Sequence, residues 1–336
     1  MKYLKIVIIV GIVLVSMFFF LKNVDFAEVS RIISSINPIY PAVFLLGLYV
    51  QFYIRAYRWG LILKPHKAKI PIFTIYSFTV IGFFLNTIFP GKIGEAARGV
   101  LLAGEQKISR SYGLASVVLE RLIDSLVMVL LFIISLFFIH ERTPLLNKLR
   151  TLSFFALPLI ILVFLFFYFL NIPQVFAYVE RFIIFISRLV PSRLRERAVS
   201  FGLKFVKGLR LNLSPLDSIK LLIASMIVWA FLIPFYWLLM KGFDFGANLS
   251  PVEAMPYFFV VAASASIPTP GMAGSFDAAS RLALQELYNA DTNPAAAFTI
   301  LCHFLILVIM VVPGFLAFWM KGINLNTIRS IKNKTD

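Results

Sequence analysis

Six stretches of this sequence, at about 4–21, 39–63, 112–140, 152–171, 217–241 and 295–320, stay apolar for long enough to cross a bilayer. At ~1.5 Å of rise per helical residue, about 20 residues span roughly 30 Å of hydrocarbon. A backbone in that layer finds no water and must satisfy its own hydrogen bonds, so each stretch predicts a helix. The loops between them are too short for a soluble domain, and with 60% hydrophobic and 14% charged residues the chain reads as a single transmembrane domain over residues 1–336.

The net charge of +16 does not point to nucleic acid. Its lysines and arginines punctuate the apolar stretches instead of forming the continuous basic face that tracks phosphates. Cys302 stands alone, which excludes an intrachain disulfide, and His66, His140 and His303 lack ligand spacing. We expect no metal and no cofactor. Lys2 and Lys5 precede the run 6–21 without a small-x-small cleavage site, so the N-terminus reads as a retained signal anchor.

Two further apolar regions, about 70–104 and 251–288, are each interrupted by the same device. The first reads Asn86-Thr87-Ile88-Phe89-Pro90-Gly91-Lys92-Ile93-Gly94, and the second Ile267-Pro268-Thr269-Pro270-Gly271-Met272-Ala273-Gly274. Each is two half-helices that either cross irregularly or return to the side they entered. Charge decides between these. If the N-terminus is cytoplasmic and both regions return, twenty of the 32 lysines and arginines lie inside and six outside. A full crossing by either region would weaken that bias. The chain then reads span, span, hairpin, span, twice over and with opposite orientation, and the two Pro-Gly pairs are offset by 180 residues. The expected fold is an all-α polytopic membrane protein of six full transmembrane helices plus two re-entrant helical hairpins. These form an inverted repeat with halves 1–140 and 152–320 and with both termini cytoplasmic. Such paired broken helices mark a transporter-type site at the bilayer midplane.

Between spans lies the basic stretch 173–214, in which Phe176, Val179, Phe182, Ile183 and Ile186 recur at helical spacing opposite Glu180, Arg181 and Arg188. It predicts a pair of amphipathic helices on the cytoplasmic leaflet, either as an anchor or as part of a gate.

Charge inside a membrane costs about 2.5–3.5 kcal/mol per group even on a lenient scale, so each intramembrane ion is a functional candidate. Arg55 and Arg58 share a face of span 39–63, near Gln51; Arg58 could equally snorkel beside Trp59. Glu120, Arg121 and Asp124 fall within a turn and a half of span 112–140, as a binding cluster or as a self-neutralised packing unit. Lys92, Glu95 and Arg98 follow the first Pro-Gly pair. A half-helix beginning there offers unpaired N–H groups, and Gly91 and Gly94 leave room for an anion to approach them. Arginine binds phosphate bidentately, so a phosphate-bearing lipid headgroup suits the site. The second copy offers Pro270, Gly271, Gly274, Ser275 and Asp277, with Arg281 one turn on. A bland alternative makes both Pro-Gly pairs simple helix breaks.

The runs Arg55-x-x-Arg58-Trp59, Pro90-Gly91-Lys92-Ile93-Gly94-Glu95-Ala96-Ala97-Arg98, Val118-Leu119-Glu120-Arg121-Leu122-Ile123-Asp124 and Pro270-Gly271-Met272-Ala273-Gly274-Ser275-Phe276-Asp277 together resemble the flippase-type transmembrane region of lysylphosphatidylglycerol synthases and their stand-alone relatives. The family's second motif usually reads Pro-Gly-Gly-x-Gly-x-x-Glu, so Met272 and Asp277 depart from it at the outer gate. The resemblance implies a lipid flippase or scramblase of a prokaryotic cytoplasmic (inner) membrane. It would move an anionic phospholipid or isoprenoid-phosphate-linked lipid between leaflets. On the residues, the candidate substrate site comprises Arg55, Arg58, Asn86, Pro90, Gly91, Lys92, Gly94, Glu95, Arg98, Glu120, Arg121, Asp124, Pro270, Gly271, Gly274, Ser275 and Asp277. No aminoacyltransferase domain follows Met320, so lysine transfer is not expected. Two alternatives stand: an intramembrane enzyme acting on lipid phosphates with Glu120 or Asp124 as acid or base, and a non-catalytic partner of a separate lipid-modifying enzyme. Self-association as a homodimer is left open.

Overall fold

The computed structural model describes residues 2–66, 69–138, 144–210 and 212–323. Helices account for all the regular structure among them. α1 (Lys2–Leu21), α3 (Ile39–Leu63), α6 (Arg110–Phe138), α7 (Pro144–Leu170) and α14 (Thr292–Met320) correspond to predicted spans. The stretch 217–241 forms α10 (Pro215–Ala230) and α11 (Ile233–Met240). Pro234 removes one backbone donor there, while Phe231 and Leu232 keep helical dihedrals, so the pair runs on as one 26-residue segment. Among the described residues, Ile39–Leu63, Pro215–Met240 and Thr292–Met320 are long and apolar enough to cross a membrane. Apolar side chains such as Phe73, Phe154, Leu222, Phe304 and Trp319 face outward without protein cover, as a lipid-facing surface requires.

One helix has no counterpart in the sequence reading. α2 (Phe26–Ser35) starts where the Asp25 side chain accepts the N–H groups of Ala27 and Glu28, and its amphipathic face packs against α14. The stretch 173–214 forms the expected helix pair, α8 (Pro173–Ser187) and α9 (Ser192–Leu209), separated at Pro191. α9 does not stand apart from the body: it packs along α6, where a Cβ on Gly208 would lie 2.6 Å from that of Ala115. His66 closes the same corner by stacking on Tyr112 at 4.2 Å. Of the basic residues behind the charge asymmetry, Lys67, Arg142, Arg329, Lys332 and Lys334 lie outside the described residues, as does His140.

The two interrupted regions each give a pair of short helices. α4 (Ile72–Ile88) and α5 (Ile93–Glu105) flank Pro90–Lys92, and α12 (Met255–Ser264) and α13 (Ser275–Tyr288) flank Pro270–Met272. At 17 residues α4 covers only ~25 Å, short of a full crossing. The other three are shorter still.

Candidate functional site

Both breaks have one cause. Proline disfavours helical dihedrals in the residue before it, and Phe89 (φ −105°, ψ 135°) and Thr269 (φ −86°, ψ 147°) are extended. Gly91 (φ 80°) and Gly271 (φ 55°) then turn the chain through the left-handed region, and Lys92 (φ 55°) and Met272 (φ 61°) remain there although they carry side chains. Such a conformation costs roughly 1–2 kcal/mol for a residue with a Cβ. The copies then diverge. α5 begins at once with Ile93, whereas Ala273 is extended, Gly274 turns back (φ 77°), and α13 waits until Ser275. The Asp277 carboxylate caps that start, accepting the Gly274 N–H at 2.8 Å. The tips touch: the Gly91 N–H points at the Pro268 carbonyl, 3.4 Å away.

Beside the first tip lies a charged cluster built from three helices. Glu120 on α6 accepts from Arg58 of α3 at 2.8 Å and from Arg98 of α5 at 2.7 Å, and all three side chains are at most 2% exposed. Asp124, one turn on, pairs with Arg58, with Arg55 at 3.5 Å and with Arg121 at 3.4 Å, and accepts the Trp229 indole N–H at 2.9 Å. Arg98 lies over the Trp59 ring and Arg55 over that of Trp229, at 4.5 and 5.0 Å. Each cation therefore has a carboxylate or an aromatic face in place of water. Arg121 reaches Glu95 only at 3.7 Å, and its Nε and Nη2 make no hydrogen bond. Four arginines against Glu95, Glu120 and Asp124 leave one positive charge, and Lys92 adds a second.

A cavity of about 170 Å³ opens between this cluster and the second tip. Of the predicted residues, Arg55, Asn86, Lys92, Glu95, Arg121 and Gly271 line it. Arg58, Arg98, Glu120 and Asp124 do not; they stand one layer behind and hold the lining arginines in place. Arg58 is fully buried, so the snorkelling alternative fails. Gly94 also lies off the cavity. It sits in α5 against α4, where a Cβ would come within 2.0 Å of the Gly82 carbonyl oxygen, so its missing side chain serves helix packing and not access for an anion. Gly91 is the open position, where an added Cβ would meet nothing within 4 Å. The backbone of Pro90 forms the first turn of the tip. On the second copy Pro270 opens the tip, Gly274 packs against Val13 and Ser16 of α1, and Ser275 bonds Thr269 at 3.0 Å, all behind the lining.

Two residues that matter here were not singled out from the sequence. Trp229 lines the cavity while orienting Asp124 and Arg55; the signal was an indole N–H inside a membrane segment, which needs an acceptor. His303, set aside above for lack of ligand spacing, is buried on α14. Its Nδ1 faces Asp277 Oδ1 at 2.7 Å and its Nε2 faces the Gly271 carbonyl at 2.8 Å. An ionisable residue in the middle of an apolar span was signal enough. Among the described residues no group of three or more His, Cys, Asp or Glu side chains is placed to hold a metal ion.

Comparison with curated proteins and with solved structures gave no match. The family model described as the lysylphosphatidylglycerol synthase TM region matches residues 4–314, and with the match running from the first helix through most of the last, the chain belongs to that family of membrane proteins.

Proposed function

We propose that this protein is a lipid flippase or scramblase that takes the phosphate headgroup of an anionic phospholipid or isoprenoid phosphate into the cavity between the Pro-Gly tips. The observation that carries the reading is the cavity itself: it is bounded by both tips and lined, among the described residues, by the cations Arg55, Lys92 and Arg121 against the single carboxylate Glu95. A volume of about 170 Å³ matches some five or six waters in the liquid, enough for a headgroup. The tails would stay outside among the acyl chains. The wall with two excess positive charges favours phosphate over a neutral sugar or a cation.

In this reading the chain is the inverted repeat expected from the charge bias, with α4–α5 entering from the cytoplasm, α12–α13 from the other side, and six full spans around them. Contact between the tips and the shared left-handed pair after each proline support that arrangement. Glu120 lies ten residues past Arg110, ~15 Å from the start of α6 and near half the hydrocarbon depth. Alternating access would then be the parting of one tip from the other.

The test uses the full chain in vesicles of phosphatidylethanolamine and phosphatidylglycerol, with a trace of a fluorescent phosphatidylglycerol or a fluorescent polyprenyl phosphate and dithionite as the outer-leaflet quencher. One probe is expected to exchange leaflets faster than in empty vesicles, and Arg121→Gln to slow it by about tenfold or more, the weight of one hydrogen bond to a charged group. Rates equal to empty vesicles for both probes refute the proposal. Mass spectrometry of the recovered lipid provides a further check, since a changed mass would mean chemistry instead of transport.

A further inference from the structure

The cluster of arginines is already explained as the headgroup wall. The Asp277–His303 pair is not, and hydrogen-bond accounting there leads further. A carbonyl oxygen only accepts, so the His303 Nε2 facing Gly271 must carry a hydrogen. Nδ1 and Asp277 Oδ1, at 2.7 Å, also need a hydrogen between them. The pair therefore holds one proton more than a neutral imidazole beside a carboxylate. Remove that proton, and His303 can keep either Asp277 or Gly271 but not both. If Nε2–H stays on Gly271, the Nδ1 lone pair points at a carboxylate. If the hydrogen moves to Nδ1, Gly271 is released.

The consequence falls on the second tip. Asp277 Oδ2 caps Gly274, His303 holds the Gly271 carbonyl, and Gly271 and Met272 line the cavity. Apart from the Gly91 N–H, which reaches the Pro268 carbonyl from the first tip, the remaining bonds at the tip are short-range, among them Met272 N to Thr269 O, Ala273 N to Pro270 O, and Ser275 Oγ to Met272 O. His303 is thus the link from α14 to the tip's backbone. Asp277 is the charged group acting on the imidazole among the described residues. The other ionisable groups nearby are committed elsewhere. Arg281 on α13 donates to the carbonyls of Phe19, Phe20 and Lys22 at the end of α1. Cys302 on α14 is bonded to Tyr236 of α11, Tyr257 of α12 to Ser280, and Glu28 of α2 to Asn293. Lys92 and Glu95 of the first tip, like Arg55 of α3, are on the cavity wall.

We propose that Asp277 and His303 form a proton site that latches the Pro270–Met272 tip to α14: with the proton bound the tip is held closed, and when the proton leaves to water the tip is free to part from the first. Resting on the transport reading, this makes lipid passage sensitive to proton occupancy on the second tip's side. The latch itself can be measured without any lipid substrate.

Two measurements test it. In the full chain in phospholipid nanodiscs, with His66→Asn and His140→Asn so that one histidine remains, 15N NMR of labelled His303 should show both ring nitrogens protonated at pH 5.5 and a single titration as the pH rises. A Met272→Cys variant then reports the tip through its reaction with a water-soluble maleimide. Dividing by the rate of the same variant carrying His303→Gln removes the thiol's own ionisation. The ratio should be about one tenth at low pH, the effect of one charged hydrogen bond, and should climb toward one with the same midpoint as the NMR signal. Asp277→Asn, which keeps the cap's shape, should abolish that midpoint, with monodispersity in size-exclusion chromatography confirming folding. A neutral His303 across pH 5.5–8.5, or a pH-independent ratio, overturns the latch. Failure of leaflet exchange with an intact latch overturns the transport reading alone.

Discussion

Replacing Glu120 by Gln should destabilise the protein far more than losing a surface ion pair does. Glu120 holds two guanidinium groups, Arg58 at 2.8 Å and Arg98 at 2.7 Å, and none of the three side chains is more than 2% exposed. The amide keeps the volume, accepts from one arginine and turns its NH2 toward the other, so a donor meets a donor. One charge-assisted bond is lost, about 1.5–3 kcal/mol, and a buried cation loses its counter-charge. Breaking one partner of a buried pair costs about 3–5 kcal/mol, and that is the expected loss. The assay is unfolding by sodium dodecyl sulfate in mixed micelles, with Arg31→Gln as the control. Its pair with Glu28 spans 3.9 Å at 80% and 38% exposure, and should be worth under about 1 kcal/mol. Adding Arg98→Met to Glu120→Gln removes the stranded cation, so the double variant should recover roughly 2 kcal/mol of the loss. If Glu120→Gln costs no more than the Arg31 control, or the double variant only adds the two losses, Glu120 is not the keystone described here.

Further outcomes follow from the same contacts. Gly94→Ala should cost about 3 kcal/mol or more, because its Cβ would meet the Gly82 carbonyl at 2.0 Å and force α4 from α5. Gly91→Ala meets open space and should lose only about 1–2 kcal/mol through its left-handed backbone, so equal losses in the same unfolding assay would refute the packing role. Burial holds the His66 ring neutral below the ordinary histidine range. The unfolded chain then takes the proton first, and stability should fall as the pH drops through that range and level off once the folded ring is protonated. The difference in unfolding free energy between the natural chain and His66→Phe, followed from pH 7.5 to 5, should show this slope, because the His303 titration is common to both.

Much of this architecture was legible in one dimension because the bilayer restricts the choices. Apolar runs of about 20 residues can only be helices there, and Phe89 and Thr269 had to leave the helix because a proline follows each. The charged residues of the span at Glu120 and Asp124 were conspicuous for the same reason, since solvent could not account for them. Amphipathic α2 was missed although its period is clear, because its ten residues are too short and too polar on one face to stand out as an apolar run.

What the sequence could not decide is which of those charges face a cavity and which face each other. Spacing along one helix places Arg55 beside Arg58, yet Arg58 turns to Glu120 on α6 while Arg55 reaches the cavity wall. Gly91 and Gly94 look equivalent in the motif, and only the approach of α4 to α5 makes one an open corner and the other a packing contact. His303 gains its role from Asp277, 26 residues away, and from a carbonyl on a third segment. Local sequence fixes where a chain must bend and which segments the membrane accepts. Side-chain partners depend on how those segments meet, and that is settled by packing among residues distant in the chain.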